Sequence, residues 1–189
     1  TVGERVVSKQ LIIGTRGAAA AWLRCFFPGA MVTHLVEVPS KTKSPVTCLA
    51  GKPLEAVDPN NHFCVICQVI PEQLSICCCD VEVSPQMARS WANQICDHFT
   101  GLDLVIVLDT ISTAQYKSPS RDDPSMMMPP LIKRLSTTAF NAQSPPVPGQ
   151  LLEPPNCIQK ESAAMLSWCE CHGLKATVLL SLAETREVT

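Results

Sequence analysis

The chain has 189 residues, 46% hydrophobic and 17% charged, with a net charge of -2. That length suits one domain with a real hydrophobic core, and the charge balance offers neither a basic stripe for nucleic acid nor an acidic tail. No apolar run reaches the roughly 20 residues a membrane-spanning helix needs, because Arg24 breaks Ala18 to Phe27 and two aspartates, Asp103 and Asp109, interrupt Leu102 to Ile111. No secretory leader is legible, and a start at Thr1 leaves a processed and an excerpted chain equally open.

Ser8 to Gly14 (SKQLIIG) reads as a buried strand. Gly14-Thr-Arg-Gly17 follows, then a helix over Ala18 to Phe27, with Thr15 as its cap and Pro28-Gly29 as its stop. The helix is apolar almost all round and is expected to be buried. Met31 to Val38 reads as a strand, and Pro39 to Asn61, with four prolines, as loop. Phe63 to Ile70 and Leu74 to Val83 form an antiparallel hairpin across Pro71-Glu72-Gln73.

The clearest helix comes next, capped by Ser84, opened by Pro85 and closed by Gly101. Its stripe is Met87, Ala88, Trp91, Ala92, Ile95, Cys96 and Phe99. Leu102 to Ile111 reads as a strand covered on both faces. From Lys117 to Asn156 there are nine prolines in forty residues, which predicts a long loop insertion with one short helical piece at Leu131 to Leu135. Glu161 to His172 reads as a helix and Ala176 to Leu182 as a last buried strand. The order predicts a single three-layer α/β domain over residues 1–189, a mixed β-sheet with helices on both faces.

Eleven cysteines raise the question of metal or redox chemistry. Five lie between Phe63 and Val83, as Cys64, Cys67 and the run Cys77 to Cys79. A zinc knuckle needs a turn that brings two thiolates together. Val65 and Ile66 are strand formers instead, and residues three apart in a strand point to opposite faces. These cysteines therefore read as small apolar core residues in a reducing compartment, with no metal and no cofactor. Cys169-Glu-Cys171-His172 is not a common zinc spacing either.

Of the histidines, His34, His62, His98 and His172, none sits in a catalytic motif. Gly14-x-x-Gly17 lies between strand and helix, where a turn can hold phosphate, but it lacks the dinucleotide and P-loop fingerprints. Asp109, at the carboxyl end of a central strand, is the best acid or base if the chain is an enzyme. That alternative is a small α/β enzyme acting on a nucleoside or phosphate ester. Met126-Met127-Met128-Pro129-Pro130, in the Pro-rich segment, suits an adaptable contact with another protein.

Several stretches together resemble the proteasome assembly chaperone 1 family. They are Ser8 to Gly14 with its Ala-rich helix, Phe63-Cys-Val, the Cys-rich strand before the Trp91 helix, and Tyr116-Lys-Ser118. Leu151-Leu-Glu-Pro-Pro-Asn156, followed by Ala163-Ala-Met-Leu-Ser-Trp-Cys169, is the fullest match. None of these is a catalytic signature. The resemblance implies a non-enzymatic α/β chaperone that pairs with a related assembly chaperone 2 subunit. The pair binds proteasome α subunits while the α-ring assembles, in the cytoplasm and also the nucleus. Family chains end in a hydrophobic residue, a tyrosine and one last residue; this chain ends Arg186-Glu-Val-Thr189, so no tail-binding residue is carried over.

Overall fold

The computed structural model describes residues 5–37, 51–58, 63–117, 131–143 and 148–183. In chain order the elements are β1 (Val6–Val7), β2 (Gln10–Gly14), α1 (Ala18–Phe26), β3 (Met31–Glu37), β4 (Phe63–Ile70), β5 (Leu74–Cys79), α2 (Ala88–Asp97), β6 (Phe99–Thr100), β7 (Leu104–Ser112), β8 (Ile132–Ser136), α3 (Thr138–Gln143), β9 (Gln150–Leu151), α4 (Lys160–Cys171) and β10 (Lys175–Ala183). Eight strands build one mixed sheet in the order β3-β4-β5-β2-β7-β10-β8-β9, and β1 pairs with β6 beside it. The four central strands β5, β2, β7 and β10 are parallel. The antiparallel hairpin β4–β5 and strand β3 extend the sheet on one side. On the other side β8 runs antiparallel to β10 and parallel to β9.

Period-two alternation divides the strand residues between two cores. Leu11, Ile13, Cys64, Ile66, Cys77, Cys79, Val105, Val107, Val178 and Leu180 join the inner faces of α2 and α4. From the helices come Trp91, Ala92 and Ile95, and Met165 and Cys169, at the expected spacings of three and four. Val65, Cys67, Ile76 and Cys78 face the other way, toward Leu23 of α1. This is the three-layer α/β arrangement read from the sequence. The thiols diverge as strand geometry requires: Cys64 and Cys67 enter opposite cores, and the cysteine run alternates between them.

Several local expectations are corrected. Residues Leu131 to Leu135 are not helical: Ile132–Ser136 is strand β8, in register with Ser181 to Thr177 of β10. A five-residue helix would be too short to sustain itself, and β10 offers a full set of backbone partners. The Pro-rich stretch is accordingly not all loop, since it also contains α3 and β9. Second, α2 begins at Ala88 rather than Pro85. Residues 85–87 make a turn closed by the Met87 amide on the Ser84 carbonyl, at 2.9 Å.

Gly101, with φ of 80°, does not close that helix but turns the chain from β6 into β7. Third, Thr15 does not cap α1, whose N-cap is Gly17 without a side-chain bond. Fourth, α1 is buried on one face only. Ala19, Ala20 and Leu23 pack inward, while Trp22 and Phe26 remain 45% and 62% exposed. Among the described residues, nothing covers those two rings.

Candidate functional site

A cleft of about 570 Å³ opens at the carboxyl ends of β2, β7 and β10. Its lining includes Thr15 and Arg16 after β2, Asp109 of β7, Glu82 after β5, Lys117, and the run from Pro155 to Glu161 that enters α4. The chain leaves β2 toward β3 and leaves β5 toward β7, so the cleft sits where the strand order reverses. In open α/β sheets that is where ligands bind.

Asp109 is a hub. Its Oδ1 accepts the Thr15 hydroxyl at 2.6 Å and the Thr110 amide at 2.7 Å, and its Oδ2 accepts the Ser162 hydroxyl. It therefore ties the β2–α1 turn, β7 and the start of α4 to one point. Buried Glu161 accepts the Val83 amide at 2.9 Å. Exposed Glu82 bridges Lys160 at 2.6 Å and Arg16 at 3.0 Å. Lys160, then Arg16, holds the Glu82 carboxyl below its ordinary range. The three carboxylates of the cleft thus already serve protein donors, the condition of structural acids rather than of a poised acid and base. Asp109, the enzyme alternative's acid or base, is one of them.

The glycine turn is likewise structural. A Cβ on Gly14 would sit 2.8 Å from both the Ala19 carbonyl oxygen and the Leu23 Cδ1. Gly17 holds φ of 93°, which side-chain-bearing residues rarely adopt. The Thr15 amide is engaged by the Leu108 carbonyl at 3.0 Å. The described histidines do not line the cleft: His34 and His98 meet ring to ring at 4.8 Å, and His172 stacks on Trp168 at 3.8 Å. His62 lies outside the described residues.

Beside the cleft, a buried latch fastens the two ends of the Pro-rich segment. Lys133 of β8 is fully buried; its Nζ donates to Glu153 Oε1 at 2.6 Å and Gln150 Oε1 at 2.9 Å, and it lies 5.5 Å from the Tyr116 ring centre. The Tyr116 hydroxyl donates to the other Glu153 oxygen at 3.0 Å. Asn156 completes the latch, accepting the Lys117 amide at 2.7 Å and donating to the Lys117 carbonyl at 2.8 Å. Burial pulls the Lys133 ammonium down, but its hydrogen bond to Glu153 and its contact with Tyr116 together outweigh that and the group sits above its ordinary value. Burial pushes Glu153 up, and the bonds it accepts from Lys133, the backbone and Tyr116 together outweigh that, leaving the carboxyl below its usual range. Tyr116-Lys117 and Glu153 to Asn156 are residues that carry the family resemblance, and the latch is their physical role.

The third feature was not expected. Ala18, Ala21, Trp22, Cys25 and Phe26 form the outer face of α1, with the Trp22 and Phe26 rings stacked at 4.2 Å. The helix's only charge, Arg24, turns away from that face to pair with Asp80 and to reach the Val57 carbonyl at 3.1 Å. A signal was present in the sequence: once Ala19, Ala20 and Leu23 are assigned inward, Trp22 and Phe26 fall four apart on another stripe. Met126, Met127, Met128, Pro129 and Pro130, the contact expected from sequence, lie outside the described residues. No described helix is long and apolar enough to cross a membrane.

Comparison with known proteins fits this picture. The chain is 30% identical over 103 residues to Proteasome assembly chaperone 1 of Xenopus laevis, an alignment covering 53% of this chain and 34% of that protein. The match thus spans about a third of the relative's length. Among solved structures, Pyrococcus furiosus PbaA, an archaeal homolog of proteasome-assembly chaperone, superposes with a TM-score of 0.57 at 17% identity, covering 97% of this chain and 74% of that one. Pyrococcus furiosus PbaB, an archaeal proteasome activator, gives 0.58 at 12% identity, with coverage of 94% and 76%. At such identities these two show the shared fold. A family model described as Proteasome assembly chaperone 4 matches residues 1–187, and the chain belongs to that proteasome assembly chaperone family.

Proposed function

We propose that this chain acts by binding alone: it pairs with a related chaperone subunit, and the pair holds proteasome α subunits while the α-ring assembles, in the cytoplasm and nucleus. The observation that carries this reading is the contrast between cleft and helix. The cleft's carboxylates are consumed by protein donors, whereas the outer face of α1 leaves an aromatic pair in water with no charge to keep it there. Exposed apolar surface of that kind suits a protein contact. The Met126 to Pro130 run is proposed as a second, adaptable contact on the same grounds as before: unbranched thioethers conform to an apolar groove, and two prolines limit the ordering cost.

Affinity capture from cell extract, read by mass spectrometry, tests the reading. A related chaperone subunit and proteasome α subunits are expected with the chain. Their absence, or a chain that stays a soluble, dilution-insensitive monomer in sedimentation, would count against it. Replacing Met126, Met127 and Met128 with Ser is expected to weaken capture and leave the melting temperature unchanged. A fall of several kcal/mol, on the order of ~2–5 for each buried Met, would instead place the methionines in the core.

A further inference from the structure

Three thiols meet under α2, and two of them are placed to bond. Cys64 of β4 and Cys79 of β5 are direct cross-strand partners, with their sulfurs 2.9 Å apart. The third thiol, Cys77, also touches Cys64, but from a diagonal position; directly across the hairpin Cys78 opposes Val65, Cys77 opposes Ile66, and Cys67 opposes Ile76. A disulfide needs sulfurs at about 2.05 Å and Cβ atoms at about 3.8 Å, and directly opposed strand residues start with their Cβ atoms about 4.5–5.5 Å apart. Closure therefore asks for a side-chain adjustment, not a new register. Both residues are fully buried, and the Trp91 indole N–H donates to Cys64 Sγ at 3.2 Å, so the edge of this ring abuts the pair at Cys64.

We propose that Cys64 and Cys79 form an oxidisable pair that closes into a cross-strand disulfide, stapling β4 to β5, when the chain meets a peroxide or a small disulfide. With hydrogen peroxide, one sulfur attacks oxygen and becomes a sulfenic acid, releasing water. The second sulfur then displaces the sulfenic oxygen as another water. The two thiols lose two hydrogens and two electrons, and the peroxide is reduced to two waters. With glutathione disulfide, one sulfur breaks its S–S bond, forming a mixed disulfide and releasing one glutathione thiol; the other sulfur then displaces the second glutathione as its thiol. Burial holds the Cys64 thiol protonated, and contact with Cys64 together with burial does the same for Cys79. Reaction therefore waits on local opening of the hairpin under Trp91, and the exposed Cys25, Cys157 and Cys171 react sooner.

The test uses the full chain with the exposed Cys25, Cys157 and Cys171, and also Cys48, replaced by Ser. It is held with hydrogen peroxide or glutathione disulfide at a urea concentration just below the unfolding transition, then quenched, alkylated and mapped. The expected result is one dominant linked peptide joining Cys64 to Cys79, two fewer free thiols per chain, and a raised melting temperature that dithiothreitol reverses. The fluorescence of Trp91 should fall as the disulfide forms beside it. No loss of core thiols, a mixture of pairings, or a link through Cys77 or Cys78 would overturn the proposal, as would a melting temperature lowered by oxidation. Cys79→Ala should abolish the link, and the mapping on the parent chain stands even if that variant does not fold.

Discussion

On one side of the sheet two helices, α2 and α4, seal a core in which Trp91 is 2% exposed; on the other, nine-residue α1 leaves Trp22 at 45% and Phe26 at 62%. The same residue type therefore answers to different constraints. Inside, an aromatic ring fills volume that nothing else fills, and its loss leaves a cavity. Outside, it adds little to folding and leaves apolar surface in water, which is useful when another chain covers it.

The sharpest way to break the comparison is Trp91→Ala. It should cost about 3–5 kcal/mol, read as a fall in the urea midpoint. A cost below about 1 kcal/mol would mean the sealed side is not packed as described. Gly14→Ala probes the seating of α1 from beneath, since the new Cβ meets the Ala19 carbonyl oxygen and Leu23 Cδ1 at 2.8 Å. It should destabilise by about 1–3 kcal/mol while Gly29→Ala, with open space around it, stays near neutral.

Glu153→Gln comes next, at about 1–2 kcal/mol near neutral pH, because it strips the partner from a fully buried ammonium but itself is 28% exposed and partly screened. Its sign with pH is specific. The Glu153 carboxyl is lowered by folding, so its contribution is present above the unfolded value near ~4.3 and is lost as pH falls through the lower folded value. Lys133 is raised, so its contribution is complete below about 10.4 and is lost as pH rises through the higher folded value. The variant should flatten the acid limb of a stability-against-pH curve. Trp22→Ser with Phe26→Ser should move stability least, by about 0.5 kcal/mol or less, yet reduce partner capture severalfold. A large drop in melting temperature with capture intact would reverse the roles assigned to the two sides.

The order of elements was legible because the strands are short runs of apolar, mostly branched residues and α2 carries a clean stripe. The Lys133 side chain was not: nothing in Ile132-Lys-Arg-Leu-Ser136 marks which face turns inward until β10 fixes the register. Asp109 was noticed as a carboxylate at a strand end, but its partners Thr15 and Ser162 lie 94 and 53 residues away and follow no local pattern. Only the fold brings them together, and with them comes the reading that it is a structural acid. Sequence spacing sees neighbours along the chain; saturation of a polar group is a property of neighbours in space.

The latch has a consequence for how this protein can change over time. Residues Lys117 and Leu131 leave and re-enter a frame whose two ends are fastened by Tyr116, Lys133, Glu153 and Asn156. Tyr116 and Glu153 meet across 37 residues of chain, and Lys117 and Asn156 across 39. Each member depends on a partner far away in sequence, so the four are bound to be kept or lost together: a change at one strands the polar group of another. They form a keystone set, slow to drift because no single substitution leaves the rest satisfied. A peptide tag placed between Glu153 and Asn156 should therefore not be tolerated.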